Sequence, residues 1–405
     1  MAWWWPFGSD RKAAGLETLP DLLGLAPRVT RSGARVNWAT SIEVAAVLAC
    51  ARVIAEGLAQ VPLKVYRDLG TSGREAARDH ALYDVLHRRP NGWMTSFELR
   101  ETMAIHAVLT GNAFAFVNRV RGEVREIVPL EPGRVTVKRA DDYTLSYVVQ
   151  APSNAWRELP ASAIWHLRGP SWNGYLGMDT VRMAREAIGL AMATEAAHGE
   201  LHANGGQVSG TYSVDGTLTA DQHRQLSDWI ARHVTGASRF SPLVLDRGAK
   251  WHSQAMTGVD AQHLETRRHQ VEEICRVFRV LPIMVMHPDK TATYAAAEQM
   301  FIHHVVHTLG PWFERFEQSA DVQLLTPAER QAGLYVKATV NGLMRGSAEA
   351  RANYYQRMSA ICAISPNEVR ALEEMNPYDG GDDHMLMLRR HGAGSETTGN
   401  NDATS

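Results

Sequence analysis

Three long helical segments in the middle of the chain constrain its fold more than any other feature. In residues 178–203, 260–279 and 295–325, apolar side chains recur every three or four positions, which is the period of a helix with one buried face. The first segment is rich in alanine, so a neighbouring helix can approach it closely. Pro311 lies inside the third segment and predicts a kink there.

Short strand-like runs precede these helices instead of alternating with them. Apolar and β-branched residues between turn residues predict strands at 63–66, 113–120, 124–129, 135–139, 145–150 and 164–167. Helices are predicted to begin at Ser41, at His80 and at Thr95 or Ser96, and Gly111 is predicted to end the last of them. Because the strands and the long helices are segregated, the pattern indicates an α+β fold.

Two smaller segments interrupt the long helices. The first, residues 208–256, predicts strands at 211–214, 242–245 and 251–254 around a helix at 219–235. The second, residues 281–293, predicts a loop with Pro282 and Pro288. Short helices are predicted over residues 334–390, one of them starting at Ser365-Pro366. An irregular arm is expected over residues 1–40, and a disordered tail over 391–405.

Composition excludes several classes of protein. Hydrophobic residues make up 45% of the chain and charged residues 21%, and the net charge is −2, so bulk positive charge cannot attract nucleic acid. The most apolar stretch, residues 42–63, carries Arg52 and Glu56 near its middle and is predicted to be a buried helix instead of a membrane span. Cys50, Cys275 and Cys362 form no CxxC pair, so we expect them to be reduced core residues of a cytoplasmic protein.

Catalytic motifs are weak. The sequence has no P-loop, HExxH or GxSxG motif. His303 and His307 have the i,i+4 spacing of metal ligands, and Asp382 and Asp383 lie in a Gly-Gly-Asp-Asp-His run that could attract a divalent cation. The alternative function is therefore a metal-dependent hydrolase. Helix-surface histidines and a solvated turn are the favoured interpretations, with no metal and no cofactor.

Seven local patterns in order resemble the portal proteins of tailed bacteriophages, over about residues 40–390. They are VLACARVIA (47–55) with VPLKVY (61–66); RPN (89–91) with Thr95 and Phe97; LTGNAFA (109–115); IWH (164–166) with GYLG (174–177); LETR (264–267) through VLP (280–282); AEQ (297–299) with Pro311; and ISPNEVR (364–370). Each pattern alone is unspecific, but their common order is specific. The length is similar to that of the short portal proteins of long-tailed phages, prophages and phage-like particles.

The resemblance implies a portal-like α+β subunit that assembles as a ring, with twelve subunits as the usual number. Its parts would be an α/β wing, two long stem helices, a small α/β clip, a kinked long helix and a short helical crown. The implied boundaries are 1–40 arm, 41–176 wing, 177–205 first stem helix, 206–257 clip, 258–280 second stem helix, 281–293 channel loop, 294–335 long helix of the wing, 336–390 crown and 391–405 tail.

The resemblance also implies a function and partners. The ring would stand at a capsid vertex, in a particle assembled in the bacterial cytoplasm, and would pass double-stranded DNA without reading its sequence. Its partners would be copies of itself, the large terminase, the major capsid protein and the head–tail adaptor, with no membrane. The residues predicted to face DNA are Ile283, Met284, Val285, Met286, His287 and Lys290. Those predicted to dock partners are Arg224, Asp228 and Arg232 of the clip. No catalytic residue is expected.

Overall fold

A computed structural model of the chain describes residues 28–151, 153–203, 210–213, 219–234, 250–253, 259–287, 294–340, 348–373 and 375–384. The chain divides into two compact units, residues 1–338 and 339–405. Among the described helices, none combines the length and apolarity that a bilayer crossing needs. The predicted tail at 391–405 and most of the predicted arm, residues 1–27, lie outside the described residues.

The first unit has the predicted α+β fold, in which most of the antiparallel strands precede the long helices. The helices are α1 (Trp38–Ser41), α2 (Ala45–Ala59), α3 (Ala81–His87), α4 (Ser96–Thr110), α5 (Thr180–Met183), α6 (Arg185–Ala203), α7 (Ala220–Val234), α8 (Val259–Phe278), α9 (Tyr294–His303), α10 (Gly310–Leu324) and α11 (Pro327–Gln331). The strands are β1 (Arg28–Val29), β2 (Arg35–Val36), β3 (Leu63–Asp68), β4 (Arg74–Ala76), β5 (Asn112–Val120), β6 (Glu123–Leu130), β7 (Val135–Arg139), β8 (Leu145–Gln150), β9 (Trp156–Pro160), β10 (Ile164–Arg168), β11 (Gly210–Ser213), β12 (Lys250–Ser253) and β13 (Leu334–Ala338).

The strands form small antiparallel sheets with the orders β10-β5-β6, β13-β3-β4 and β7-β8-β9, and two pairs, β1-β2 and β11-β12. Every strand predicted within the described part of the first unit is present. Five more were not predicted. Strands β1 and β2 pair with each other within residues 28–36, where the sequence predicted an irregular arm. Strand β9 is short and mostly exposed, and β4 has three residues. Strand β13 lies where helices were expected and pairs with β3, so this unit continues to Ala338, beyond the predicted boundary at residue 335.

Helix α2 lies at the centre of the first unit. Its buried side chains are Val47, Cys50, Ala51, Ile54, Ala55, Leu58 and Ala59. The prediction that Ser41 caps this helix is wrong. Ser41 is the last residue of α1, and its hydroxyl donates to the Trp38 carbonyl at 2.8 Å. Asn37 caps α1, whereas α2 begins after Val44 without a side-chain cap.

Other helix ends follow their sequence signals. Thr95 and Glu98 form a reciprocal capping box at the start of α4, and Gly111 closes this helix with φ of 74°. The predicted first stem helix is interrupted, because Ala184 between α5 and α6 is not helical. The irregularity expected at Pro311 is a π-helical turn, His304–Leu309, between α9 and α10. Pro311 is the second residue of α10, in the first turn of a helix, where proline is tolerated.

The second unit contains α12 (Ala348–Ala360) and α13 (Pro366–Leu372). Helix α13 begins as predicted at Ser365-Pro366, where Ser365 and Glu368 form a capping box. Cys362 in this unit is only half-buried, so the prediction of three core cysteines is correct for Cys50 and Cys275 alone.

A buried guanidinium joins three helices of the first unit. Arg100 of α4 donates from Nη2 to the Ala59 carbonyl at 2.7 Å and from Nη1 to the Leu86 carbonyl at 3.4 Å. These carbonyls lie in the last turns of α2 and α3, where the helix dipole favours a positive charge. Burial lowers the pKa of Arg100 to about 10, so the side chain remains charged at neutral pH.

We predict that Arg100→Met lowers the free energy of unfolding by about 2 kcal/mol, because buried carbonyls lose their donors. Arg52→Met is the matched control, since Arg52 makes an exposed ion pair with Glu56. We expect the control to cost about 0.5 kcal/mol or less. Urea unfolding of both variants measures the difference, and equal costs would contradict a structural role for Arg100.

Candidate functional site

The segment after α8 is an ordered turn, which corrects the prediction of a loop over residues 281–293. A 3-10 helix, Pro282–Val285, is followed by Met286 in the left-handed region with φ of 60°. The His287 amide closes the turn by donating to the Pro282 carbonyl at 3.0 Å. We call residues 281–287 the channel turn, after the channel loop that the resemblance implies for this segment. Lys290 and the rest of the predicted loop, residues 288–293, lie outside the described residues.

The apolar side chains of the channel turn differ in their exposure to solvent. Ile283, Met284 and Val285 are half-buried, and the 3-10 helix packs against α2. Met286 is 92% exposed, and His287 is half-buried. Of the predicted DNA-facing residues that the structure describes, only Met286 therefore projects fully from the surface.

Neighbouring elements hold the base of the channel turn in place. The Thr308 hydroxyl, in the π-helical turn, donates to the Arg279 carbonyl at 2.6 Å. Leu309 packs so closely on α2 that a Cβ added at Gly57 would lie 2.9 Å from its Cδ1. Helix α2, the end of α8 and the π-helical turn thus meet beneath the channel turn.

A close backbone crossing fixes the direction in which the chain leaves the sheet β10-β5-β6 for α5 and α6. The Gly169 amide donates to the Gly111 carbonyl at 2.8 Å. A Cβ at Gly111 would overlap the Met178 carbonyl, and a Cβ at Gly177 would overlap the Gly111 carbonyl. Gly111 and Gly177 fall within the segments 109–115 and 174–177 that carry the resemblance.

Sequence reasoning missed the polar group that supports this crossing. Asn112 Oδ1 accepts from the Gly177 amide at 2.8 Å and from His166 Nε2 at 3.0 Å. Tyr147 Oη lies 3.2 Å from His166 Nδ1, which is the acceptor when Nε2 carries the hydrogen. Burial lowers the pKa of His166 to about 3. The only sequence signal for this group was that Asn112 and His166 have apolar neighbours at or beside predicted strands.

The predicted clip contains the strand pair β11-β12 and helix α7. Thr219 and Gln222 exchange hydrogen bonds at the start of α7. Arg224 and Asp228 are exposed on it. The side chain of Arg232 lies outside the described residues, as do those of the predicted apolar face, Leu226, Trp229, Ile230 and Val234, and the predicted strand 242–245.

The two candidate metal sites lack a full set of ligands. The rings of His303 and His307 lie 4.3 Å apart, and both side chains are exposed. Asp382 accepts from Asn367 Nδ2 at 3.0 Å, which makes the Gly-Gly-Asp-Asp run part of a turn on α13. Within the described part of the chain, no three His, Cys, Asp or Glu side chains are grouped as metal ligands.

We predict that Gly111→Ala lowers the free energy of unfolding by about 3 kcal/mol or more, because the crossing has no room for a methyl group. Gly70→Ala is the control: Gly70 also has positive φ, but no atom lies within 4 Å of its added Cβ. We expect the control to cost about 1 kcal/mol from backbone strain alone. Similar thermal midpoints for both variants would contradict the close crossing.

The depressed pKa of His166 predicts a loss of stability in acid. The unfolded chain binds a proton near the ordinary histidine pKa of about 6.5, whereas the folded chain does not until about pH 3. The contribution is present above pH 6.5 and is lost as the pH falls. From pH 7 to pH 5, the wild type should lose about 2 kcal/mol more than His166→Gln. Parallel pH profiles in urea unfolding would show that His166 does not titrate as stated.

Known phage proteins match most of this chain in sequence. A family model described as phage portal protein matches residues 45–374. The portal protein of Enterobacteria phage HK97 is 27% identical over 358 residues, covering 87% of this chain and 84% of that protein.

Solved structures share the fold. The crystal structure of an HK97-family phage portal protein from Corynebacterium diphtheriae has a TM-score of 0.57 and 14% identity, covering 79% of this chain and 98% of that one. A chain in the neck of a native gene transfer agent particle, computed with C12 symmetry, has a TM-score of 0.55 and 21% identity, covering 84% and 94%. The hydrolase alternative finds no support among these relatives, and the chain belongs to the phage portal protein family.

Proposed function

We propose that this portal subunit forms a ring at a capsid vertex and that double-stranded DNA enters and leaves the particle through its channel. The neck structure with C12 symmetry supports a ring of twelve. A closed ring of identical subunits needs two different, complementary faces on each subunit. In this proposal the chain is structural, and the large terminase supplies the force for packaging.

The geometry of the channel turn is the main support for this proposal. It lies between the long helix α8 and the helix pair α9–α10, it is fixed against α2, and it exposes Met286. A rigid base with one protruding side chain suits a constriction that must keep its diameter while DNA passes. Repeated around a ring, the Met286 side chains would form an apolar collar.

The chemistry of the turn favours sliding over binding. Residues 281–287 include no Lys, Arg, Asp or Glu. Each phosphate that a protein neutralises adds affinity and a salt-dependence slope of about 0.9, so fixed cations at a constriction would hold the duplex. Methionine is flexible and polarizable, so it can follow the changing contour of a passing helix without a fixed partner.

We predict that Met286→Glu leaves ring assembly unchanged but reduces the yield of particles that contain full-length DNA, because a ring of carboxylates repels phosphates. Met286→Gln is the matched control, with similar length and no charge, and it should package close to wild-type levels. Rings are counted by native mass spectrometry and packaged DNA by gel electrophoresis. Normal packaging by Met286→Glu would argue that Met286 faces away from DNA.

We further propose that α7 and the strand pair β11-β12 dock the terminase during packaging and the head–tail adaptor afterwards. Arg224 and Asp228 are exposed on one helix of this segment, so partners can contact charges of both signs. Arg232, eight residues after Arg224 in the sequence, is proposed as a third docking residue. The wing is proposed to contact the major capsid protein.

We predict that Arg224→Glu preserves the ring but weakens binding of the terminase or the adaptor by about tenfold, as expected for reversal of an interface charge. Gln225→Glu adds a negative charge at the neighbouring exposed position and serves as the control. Pull-down of each purified partner with the assembled ring measures the effect. Unchanged binding of both partners would place their docking surface elsewhere.

A further inference from the structure

Two cysteines that are far apart in the sequence meet in the core of the first unit. Cys50 Sγ in α2 lies 3.8 Å from Cys275 Sγ in α8, which is contact distance between sulfur atoms. Their side chains are 0% and 1% exposed, and both are free thiols. The sequence predicted that each is buried, but nothing in their spacing indicated that they touch.

The contact joins two helices that adjoin the channel turn. Helix α2 carries Cys50 and also packs against the 3-10 helix of the channel turn and against the π-helical turn His304–Leu309. Cys275 lies in the last turn of α8, and its carbonyl accepts from the Val280 amide at 2.9 Å. A covalent bond between the two sulfurs would therefore tie the end of α8, where the channel turn begins, directly to α2.

We propose that Cys50 and Cys275 form a thiol–disulfide site, reduced in this structure, whose oxidation locks α8 to α2. A two-electron thiol oxidant is the required co-reactant. The site is separate from the proposed passage of DNA, and it holds or fails regardless of that role. Cys50 and Cys275 are 225 residues apart in the sequence. A bond between them would therefore join two helices that are distant along the chain.

The two sulfurs have different parts in the reaction. Their shared hydrogen bond and burial raise the pKa of Cys50, whereas the same hydrogen bond lowers the pKa of Cys275. The direction of these shifts favours Cys275 as the first nucleophile, and attack by Cys50 would give the same disulfide. To form the bond, the sulfurs must approach from 3.8 Å to the disulfide length of about 2.0 Å. Side-chain rotation and a small helix shift supply this movement.

An azo oxidant such as diamide gives a balanced reaction. The Cys275 thiolate adds to one nitrogen of the N=N bond, and the other nitrogen takes a proton. The Cys50 sulfur then attacks the Cys275 sulfur and breaks the new S–N bond, and the departing nitrogen takes the Cys50 proton. The thiols lose two electrons and two protons, and the azo compound becomes a hydrazine. Because both sulfurs are buried, local opening of the α2–α8 contact should limit the rate.

The test uses the full chain, assembled as it is purified, in a Cys362→Ser background, so that Cys50 and Cys275 are the remaining cysteines. After diamide treatment we expect the intact mass to fall by two hydrogen atoms, and peptide mapping to find a bond between positions 50 and 275. The thermal unfolding midpoint should rise by about 5 °C and return on reduction. Adding Cys50→Ser or Cys275→Ser should abolish both changes.

Three results would overturn the proposal. The first is thiol titration that still finds both cysteines free after diamide treatment just below the unfolding temperature, which would make the pair a packing contact only. The second is a bond between subunits instead of within one, seen as a dimer on a non-reducing gel. Thermal stabilisation that persists in the Cys275→Ser variant would also exclude the lock, because that variant cannot form the bond.

Discussion

The structure depends on the burial of helix α2. Its apolar face contacts α4, the end of α8, the 3-10 helix of the channel turn and the π-helical turn. A buried leucine or isoleucine side chain contributes about 1.5–3 kcal/mol, and seven of the fifteen residues of α2 are buried. The elements that would surround DNA in a ring are therefore held by a helix that would not itself touch DNA.

Buried polar contacts then fix how the elements around this apolar core are oriented. Arg100 joins the last turns of α2 and α3 to α4, and Asn112 with His166 joins β5 and β10 to the glycine crossing at Gly177. Each of these polar groups is buried and hydrogen-bonded, so a displacement of any one of them would leave unpaired donors or acceptors. We infer that Arg100 fixes how α2, α3 and α4 meet, and that the Asn112–His166 group fixes how the chain leaves the sheet toward α5.

The sequence was most informative where structure is decided locally. The capping boxes at Thr95 and Ser365, the left-handed Gly111 and the long amphipathic helices all follow from residues within a turn of one another. It was least informative where contacts between distant segments determine the local structure. Strand β13 exists because it pairs with β3, and the channel turn is ordered because α2 supports it. The same limit explains the sites: Met286 could be named in advance, but its exposure relative to Met284 depends on the packing of α2.

A closed ring whose narrowest part is the channel turn would be visible in a three-dimensional reconstruction of the purified assembly by single-particle electron microscopy. We expect a ring of twelve, like the related neck computed with C12 symmetry, with α6 and α8 around the axis and Met286 at the constriction. A monomer, an open filament, or a ring with Met286 on its outer wall would contradict this expectation.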